Sequence, residues 1–238
     1  MWSSLAPGMA LAMAAVFVLE SCKAMTITVK KEFKLMFATI VLERHIRGVE
    51  DLNRRLAAKI LEREQQGPGV VRSNVGGWHS ETDFLRWEGP ESGELFQHVA
   101  GAVKDFAALE RKVDAAALDL TVSAEAWANV ARAGNYGKPH VHPNSNISGV
   151  YYVDADDSPE GDVNSGVIEL MDPRNRPGMF ETEGTLAFDA YRVRPQSGLL
   201  LLFPAWLYHY VHPHQGSTPR ICVAFNFTLQ KVKVVGAP

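Results

Sequence analysis

At 238 residues the chain is long enough for one sizeable domain with a well-buried core. With 46% apolar residues, 21% charged residues and a formal charge of −3, it reads as an ordinary globular protein and gives no reason to expect nucleic acid as a partner. Its two cysteines, Cys22 and Cys222, lie far apart, which argues against a disulfide framework and suits a reducing, cytoplasmic compartment.

Residues 1–24 form an apolar extension with no charge before Glu20. Lacking a basic residue ahead of its apolar run, it is a poor secretory signal, and it is marginal in length for a membrane span. Two readings stay open: a targeting or anchoring segment, or a mis-assigned start upstream of Met25. No stable membrane association is expected unless this segment acts as an anchor. Residues 25–238 read as a single domain.

From Lys34 to Val41 the run KLMFATIV reads as a first strand. Gly48–Gln66 places Val49, Leu52, Leu56 and Ile60 at helical spacing, and Gly67-Pro68-Gly69 ends that helix. Arg72–Ser80, RSNVGGWHS, reads as a loop with paired glycines. A second helix is expected from about Ser92 to Leu118, with Leu95, Val99, Val103, Phe106 and Leu109 on its apolar stripe. After Leu118 the helical period stops. Strand-like runs follow at Glu125–Ala131, Ile147–Val153, Gly166–Met171, Thr185–Val193, Gly198–Phe203, Trp206–Val211 and Arg220–Leu229. This pattern predicts a mainly β, α+β protein: a sandwich or barrel with two N-terminal helices buttressing it.

Chemistry concentrates in GNYGKPHVHPNSNISGVYYV, Gly134 to Val153. His140 and His142 are two residues apart, so in an extended strand both imidazoles share a face and can hold one metal ion. His209, in FPAWLYHYVHP, is the candidate third ligand from a facing strand. His212 lies an odd number of residues away and faces elsewhere in a regular strand; His214 follows Pro213, past the strand. Imidazole suits Fe, Zn, Cu and Ni alike, so the ligand type leaves the metal open. Eleven residues past His209, Arg220 opens RICVAFNF. An arginine facing a barrel interior is costly unless it meets an anion, and its planar fork matches a carboxylate.

With these residues in that order, the C-terminal half resembles the iron(II)- and 2-oxoglutarate-dependent oxygenases, whose fold is a double-stranded β-helix, a jelly-roll or cupin-like barrel. GNYGKPHVH resembles the approach to the metal in their prolyl-hydroxylase branch. The segments SNVGGWHS, HVHPNSNISGVYYV, IELMDPR, LLLLFPAWLYHYVHP and RICVAFNF resemble a family of 2-oxoglutarate/iron(II) oxygenases from about Phe33 to Leu229.

The resemblance implies an oxidoreductase, a dioxygenase that uses Fe(II), 2-oxoglutarate and O2 and releases succinate and CO2 while hydroxylating a C–H bond. It implies His140, His142 and His209 as iron ligands and Arg220 as the anchor of the far carboxylate, with Tyr152 or Ser148 adding hydrogen bonds. His142 stands where the superfamily usually has an acidic residue, so Asp172 is kept as an alternative ligand; its other reading is a turn-initiating residue before Pro173. Asn144 and Asn146 are candidates for hydrogen bonds behind the ligands. Arg174 and Trp78 are candidates for the substrate mouth. The substrate is either a small molecule or a protein side chain. The second reading of the chain is a cupin-like barrel that binds a metal or a sugar without 2-oxoglutarate, which a closed four-coordinate zinc site would favour.

Overall fold

A computed structural model describes residues 37–155, 162–173 and 190–234. The chain begins with strand β1 (Leu42–His45) and helix α1 (Glu50–Gln65). Two short strands, β2 (Asn74–Val75) and β3 (Trp78–His79), precede helix α2 (Glu91–Arg111). The β half then runs β4 (Leu118–Ala131), β5 (Tyr136–His140), β6 (Ile147–Asp154), β7 (Ile168–Met171), β8 (Ala190–Val193), β9 (Leu199–Pro204), β10 (His209–Val211) and β11 (Arg220–Val234). The compact unit begins at Thr39. The extension at 1–24 and the expected boundary at 25 lie outside the described residues. Among those residues, no helix is long and apolar enough to cross a membrane.

The strands form two antiparallel sheets, one in the order β1-β9-β6-β11-β4-β3 and the other β2-β5-β10-β7-β8. This is the expected mainly β fold with two helices packed on it. The spine is β11, paired along its length with β4 on one side and with β6 on the other. Its residues alternate between two environments, as the period of a strand requires. Ile221, Val223, Phe225 and Phe227 join the core under the helices, while Cys222 joins a second apolar cluster drawn from both sheets. β6 divides the same way: Ile147, Tyr151 and Val153 face the helices, and Val150 and Tyr152 face inward. The run LLLLFP in β9 is buried at every position because both its faces are covered.

The helices complete the outer core. Leu52, Leu56 and Ile60 of α1 and Leu95, Val99, Val103 and Phe106 of α2 are buried against the six-stranded sheet. Arg55 and Lys59 of α1 bind Glu94 and Glu91 of α2 at 2.6 and 2.8 Å, which fixes the helices relative to each other.

Three boundaries differ most from the sequence expectation. The first strand is Leu42–His45, and the described part of the expected run, 37–41, is not in a strand. β1 is an edge strand with its alternate residues exposed, so its composition, LERH, carries no apolar run to read. Helix α2 stops at Arg111, because Lys112 turns left-handed (φ 57°) and the Val113 N–H donates back to the Ala108 carbonyl. Finally, β4 starts at Leu118 rather than 125: Leu118, Leu120, Val122 and Ala124 alternate with exposed Asp119, Thr121, Ser123 and Glu125, a period of two.

Candidate metal centre and co-substrate pocket

His140 closes β5 and His209 opens β10, and the two residues are direct cross-strand partners. The chain leaves the strand after His140. It is then held by a hydrogen bond from the His142 N–H to the Ala205 carbonyl (2.9 Å), which turns the second imidazole toward the first. Ring centroids stand 4.2 Å apart for His140–His209, 5.0 Å for His140–His142 and 5.1 Å for His142–His209. One nitrogen from each ring lies within 4.8 Å of the other two, the spacing of donors around a single ion.

Hydrogen bonds fix which nitrogen is free. His140 Nδ1 lies 2.6 Å from the Lys138 carbonyl and His209 Nδ1 lies 2.9 Å from the Leu207 carbonyl. A carbonyl only accepts, so both Nδ1 atoms carry the proton and both Nε2 lone pairs are available to a metal. The Ser73 hydroxyl, 3.3 Å from His140 Nε2, donates to that lone pair. Burial pushes all three imidazoles below the ordinary histidine range. His142 falls to about 4 and His209 to about 3, each lowered further by the charge of His140; for His140 the bond to Lys138 opposes the shift. Neutral imidazole is the ligand form.

Arg220 is 7% exposed and lines the same cavity. One terminal nitrogen donates to the Gly166 carbonyl (2.9 Å), and the guanidinium carbon lies 6.0 Å from the centre of the Tyr152 ring. Its Nε is enclosed and has no partner, alone in this respect among the described side-chain nitrogens and oxygens. A buried cation with an orphaned donor fits an anion held beside the three histidines.

Of the other candidates, Tyr152 lines the cavity, and its hydroxyl is kept protonated by burial. Trp78 lines it too, with its indole N–H donating to the Gly67 carbonyl (3.0 Å). Ser148, expected beside the co-substrate, is instead buried away from the cavity lining, donating to the Asn226 side chain (2.9 Å) and near the Phe225 carbonyl. Asn144 and Asn146 do not support the ligands. Asn144 occupies a left-handed turn position (φ 66°), where its carbonyl accepts from Thr228, and Asn146 accepts from the Leu229 N–H (2.8 Å). They shape the connection into β6. Asp172 follows β7 outside the ligand group, which among the described residues consists of the three histidines. Arg174 lies outside the described residues. His212 turns outward to Glu169 (2.9 Å), and His214 donates to the Thr218 carbonyl (2.8 Å).

One wall of the cavity is not apparent from the sequence pattern. Arg72–Ser80, which reads as a loop, contains β2 and β3, and it brings His79 beside Trp127 and Asn129 of β4. The paired glycines were the signal. Gly76 and Gly77 both take positive φ (65° and 68°), and a side chain at Gly77 would strike the Val130 carbonyl at 2.6 Å. Only glycine lets this turn, which carries the chain from one sheet to the other, close on β4.

Comparison with solved structures shows the fold class first. The chain is similar to a Pseudomonas putida prolyl-4-hydroxylase (16% identity, 80% of this chain and 93% of that one, TM-score 0.54). It is also similar to HygX from Streptomyces hygroscopicus, solved with nickel and 2-oxoglutarate bound (14% identity, 81% and 84%, TM-score 0.55). A third likeness is a Trichoplax adhaerens prolyl hydroxylase in complex with a hypoxia inducible factor peptide (12% identity, 79% and 83%, TM-score 0.51). The fold is the double-stranded β-helix of these oxygenases. No curated protein matches the chain. Residues 125–226, which carry all three histidines and Arg220, match the family described as "Putative 2OG-Fe(II) oxygenase". The matched segment is what this chain shares with that 2-oxoglutarate/Fe(II) oxygenase family, and its three histidines could hold a metal ion.

Proposed function

We propose that the protein is a 2-oxoglutarate-dependent hydroxylase in which His140, His142 and His209 hold iron(II), Arg220 grips the far carboxylate of 2-oxoglutarate, and Tyr152 packs beside it. The observation that carries this reading is the enclosed, unpartnered Arg220 Nε in the same cavity as three convergent imidazoles. When bound, iron(II) supplies the coupling of 2-oxoglutarate decarboxylation, with O2, to hydroxylation of a C–H bond, giving succinate and CO2. The residues of this chain do the rest. Carbonyl bonds at Nδ1 hold two imidazoles with Nε2 turned to the metal. Three protein ligands leave positions open for other groups, as a closed zinc site would not. The apolar wall of Val150, Ile168 and Tyr152 keeps the Arg220–carboxylate pair out of water, where such a pair is strong.

The substrate is an organic molecule or a protein side chain. Supporting the second is the peptide bound to the Trichoplax enzyme; supporting the first is the hygromycin B bound to HygX. The test is succinate release from 2-oxoglutarate under air by protein reconstituted with iron(II), alongside metal content. Iron-dependent succinate formation is expected, and His209→Ala is expected to lose iron at any 2-oxoglutarate concentration. Stoichiometric zinc with no consumption of 2-oxoglutarate would replace this reading with a metal-binding barrel.

A further inference from the structure

The wall built by β3 and β4 holds a group that neither iron nor 2-oxoglutarate uses. His79 is the cross-strand partner of Asn129, and both line the cavity. Its imidazole is 6% exposed and lies nearly parallel to the Trp127 indole (interplanar angle 11°, centroids 5.5 Å apart). Trp127 in turn stands 5.8 Å from the His142 ring. One indole therefore separates His79 from the metal centre.

The protonation of His79 follows from its contacts. Nδ1 lies 2.6 Å from the Ser80 carbonyl, so the proton is on Nδ1 and the lone pair on Nε2. Nε2 has no hydrogen-bond partner among the described residues, and it is not among the enclosed orphan atoms, so it opens on the cavity. Burial lowers the affinity of the ring for a second proton, which keeps it neutral. A fixed ring with one free acceptor facing a cavity is a recognition element: it rewards a donor and leaves its own lone pair unmet when none is offered.

The rest of the cavity narrows the class of donor. Its described lining contains no Asp, Glu or Lys, and Arg220 is its one formal charge. An ammonium would find no carboxylate there, and a second carboxylate would compete for the arginine. The other polar side chains of this wall of the lining are neutral, Ser73, Asn74, Asn129, Asn135 and Tyr136, while Arg72 and Glu81, outside the lining, act on His79 with opposite signs. We propose that His79 is the specificity-determining residue of the substrate subsite, accepting at Nε2 a hydrogen bond from an uncharged O–H or amide N–H donor on the substrate. This rests on the oxygenase reading above.

Two experiments test it. The first needs no substrate: protein loaded with nickel(II) and 2-oxoglutarate is treated with diethyl pyrocarbonate, which attacks unprotonated imidazole nitrogen, and the modified histidines are located by mass spectrometry. His79 should react about tenfold faster than His212, whose two ring nitrogens are both engaged, by Tyr210 and Glu169. An unreactive His79 overturns the proposal. The second measures the succinate release stimulated by N-acetyl amino acid N′-methylamides and by their fully N-methylated twins, which lack the donor. Wild type should prefer the donor-bearing member by about tenfold or more. His79→Phe, which keeps a flat ring on Trp127 without an acceptor, should lose that preference, and His79→Gln, which restores an acceptor, should recover part of it. Iron content and melting temperature report that each variant is folded. A preference unchanged in His79→Phe, or a panel in which no donor-bearing compound stimulates, overturns the assignment. If wild type makes no succinate under any condition, the oxygenase reading itself fails, while the first experiment still reports on His79.

Discussion

Adjacent residues of the same strands live in two different regions of this molecule. The outer faces of β6 and β11 meet the helices in a dry apolar core, where Phe225, Phe227, Tyr151 and Ile147 are at most 1% exposed. Their inner faces, one residue along, line a cavity with Arg220, Cys222, Val150 and Tyr152. The outer region accepts only shape and hydrophobicity. The inner one tolerates a cation with an orphaned donor and three imidazoles pushed toward neutrality. Stability and chemistry are thus assigned to opposite faces of one backbone, and substitutions should separate them.

The largest effect belongs to the outer face. Phe225→Ala should cost about 3–5 kcal/mol, since the helices cannot collapse fully into the space it leaves. In a chain of this size that is on the order of 10 °C in melting temperature. The folded fraction should still bind iron in the wild-type ratio. Loss of iron at temperatures where circular dichroism shows a native fold would mean that the two faces are not independent.

Arg220→Ala should do the reverse. Removing a buried charge with an orphaned Nε leaves the melting temperature of the protein without 2-oxoglutarate unchanged or slightly higher. The concentration of 2-oxoglutarate needed for succinate release should rise on the order of a hundredfold, the usual effect of leaving the partner charge unpaired. Arg220→Lys should recover part of this, as a point charge replaces the fork. Wild-type dependence on 2-oxoglutarate in Arg220→Ala would remove the anchor from the proposed mechanism.

How much of this was legible depended on the same two faces. The apolar stripe of α1 and the run LLLLF of β9 announce a buried element because burial there is continuous. His140, His142 and His209 were legible as types in an order, although the parity argument assumed a strand that in fact ends at His140. Strand β10 was read three residues too early because Trp206 and Tyr208 look like strand residues, yet both lie more than half exposed in the turn before His209. Strands β2 and β3 were not legible because two-residue strands have no period, and His79 reaches the cavity only through its register with Asn129. Ser148 and Asn146 show the converse. Polar residues near a site motif were read as part of it, but their hydrogen bonds go to the frame.

Acid should weaken the inner face selectively. The metal-free His142 and His209 have folded pKa values depressed to about 4 and about 3, against an ordinary 6.5. A depressed base favours the folded state above its unfolded pKa, so this stability is present at pH 7 and drains away as pH falls through 6.5 toward 4 and 3. By pH 5 the loss should be roughly 2 kcal/mol per imidazole. Urea melts of metal-free protein at pH 7 and pH 5 measure it, and His142→Gln should shrink the difference. An identical difference in that variant would place the acid sensitivity elsewhere.

The smallest effects come from two neighbouring tyrosines, and they test the comparison most closely. Tyr151 points to the helices, its hydroxyl donating to Asn53 of α1 at 2.6 Å; Tyr152 points into the cavity beside Arg220. Both are buried, so exposure alone does not distinguish them. Tyr151→Phe removes one hydrogen bond between helix and sheet and should cost about 1 kcal/mol, a few degrees in melting temperature, with the 2-oxoglutarate dependence unchanged. Tyr152→Phe removes a hydroxyl from the cavity wall. Its melting temperature should stay within a degree or so of wild type, while the 2-oxoglutarate requirement rises by less than about tenfold, the span of one neutral hydrogen bond. Measured side by side, the two hydroxyl deletions should move different observables. If both lower the melting temperature equally and neither touches 2-oxoglutarate, Tyr152 belongs to the frame of the barrel, and Arg220 holds the co-substrate without it.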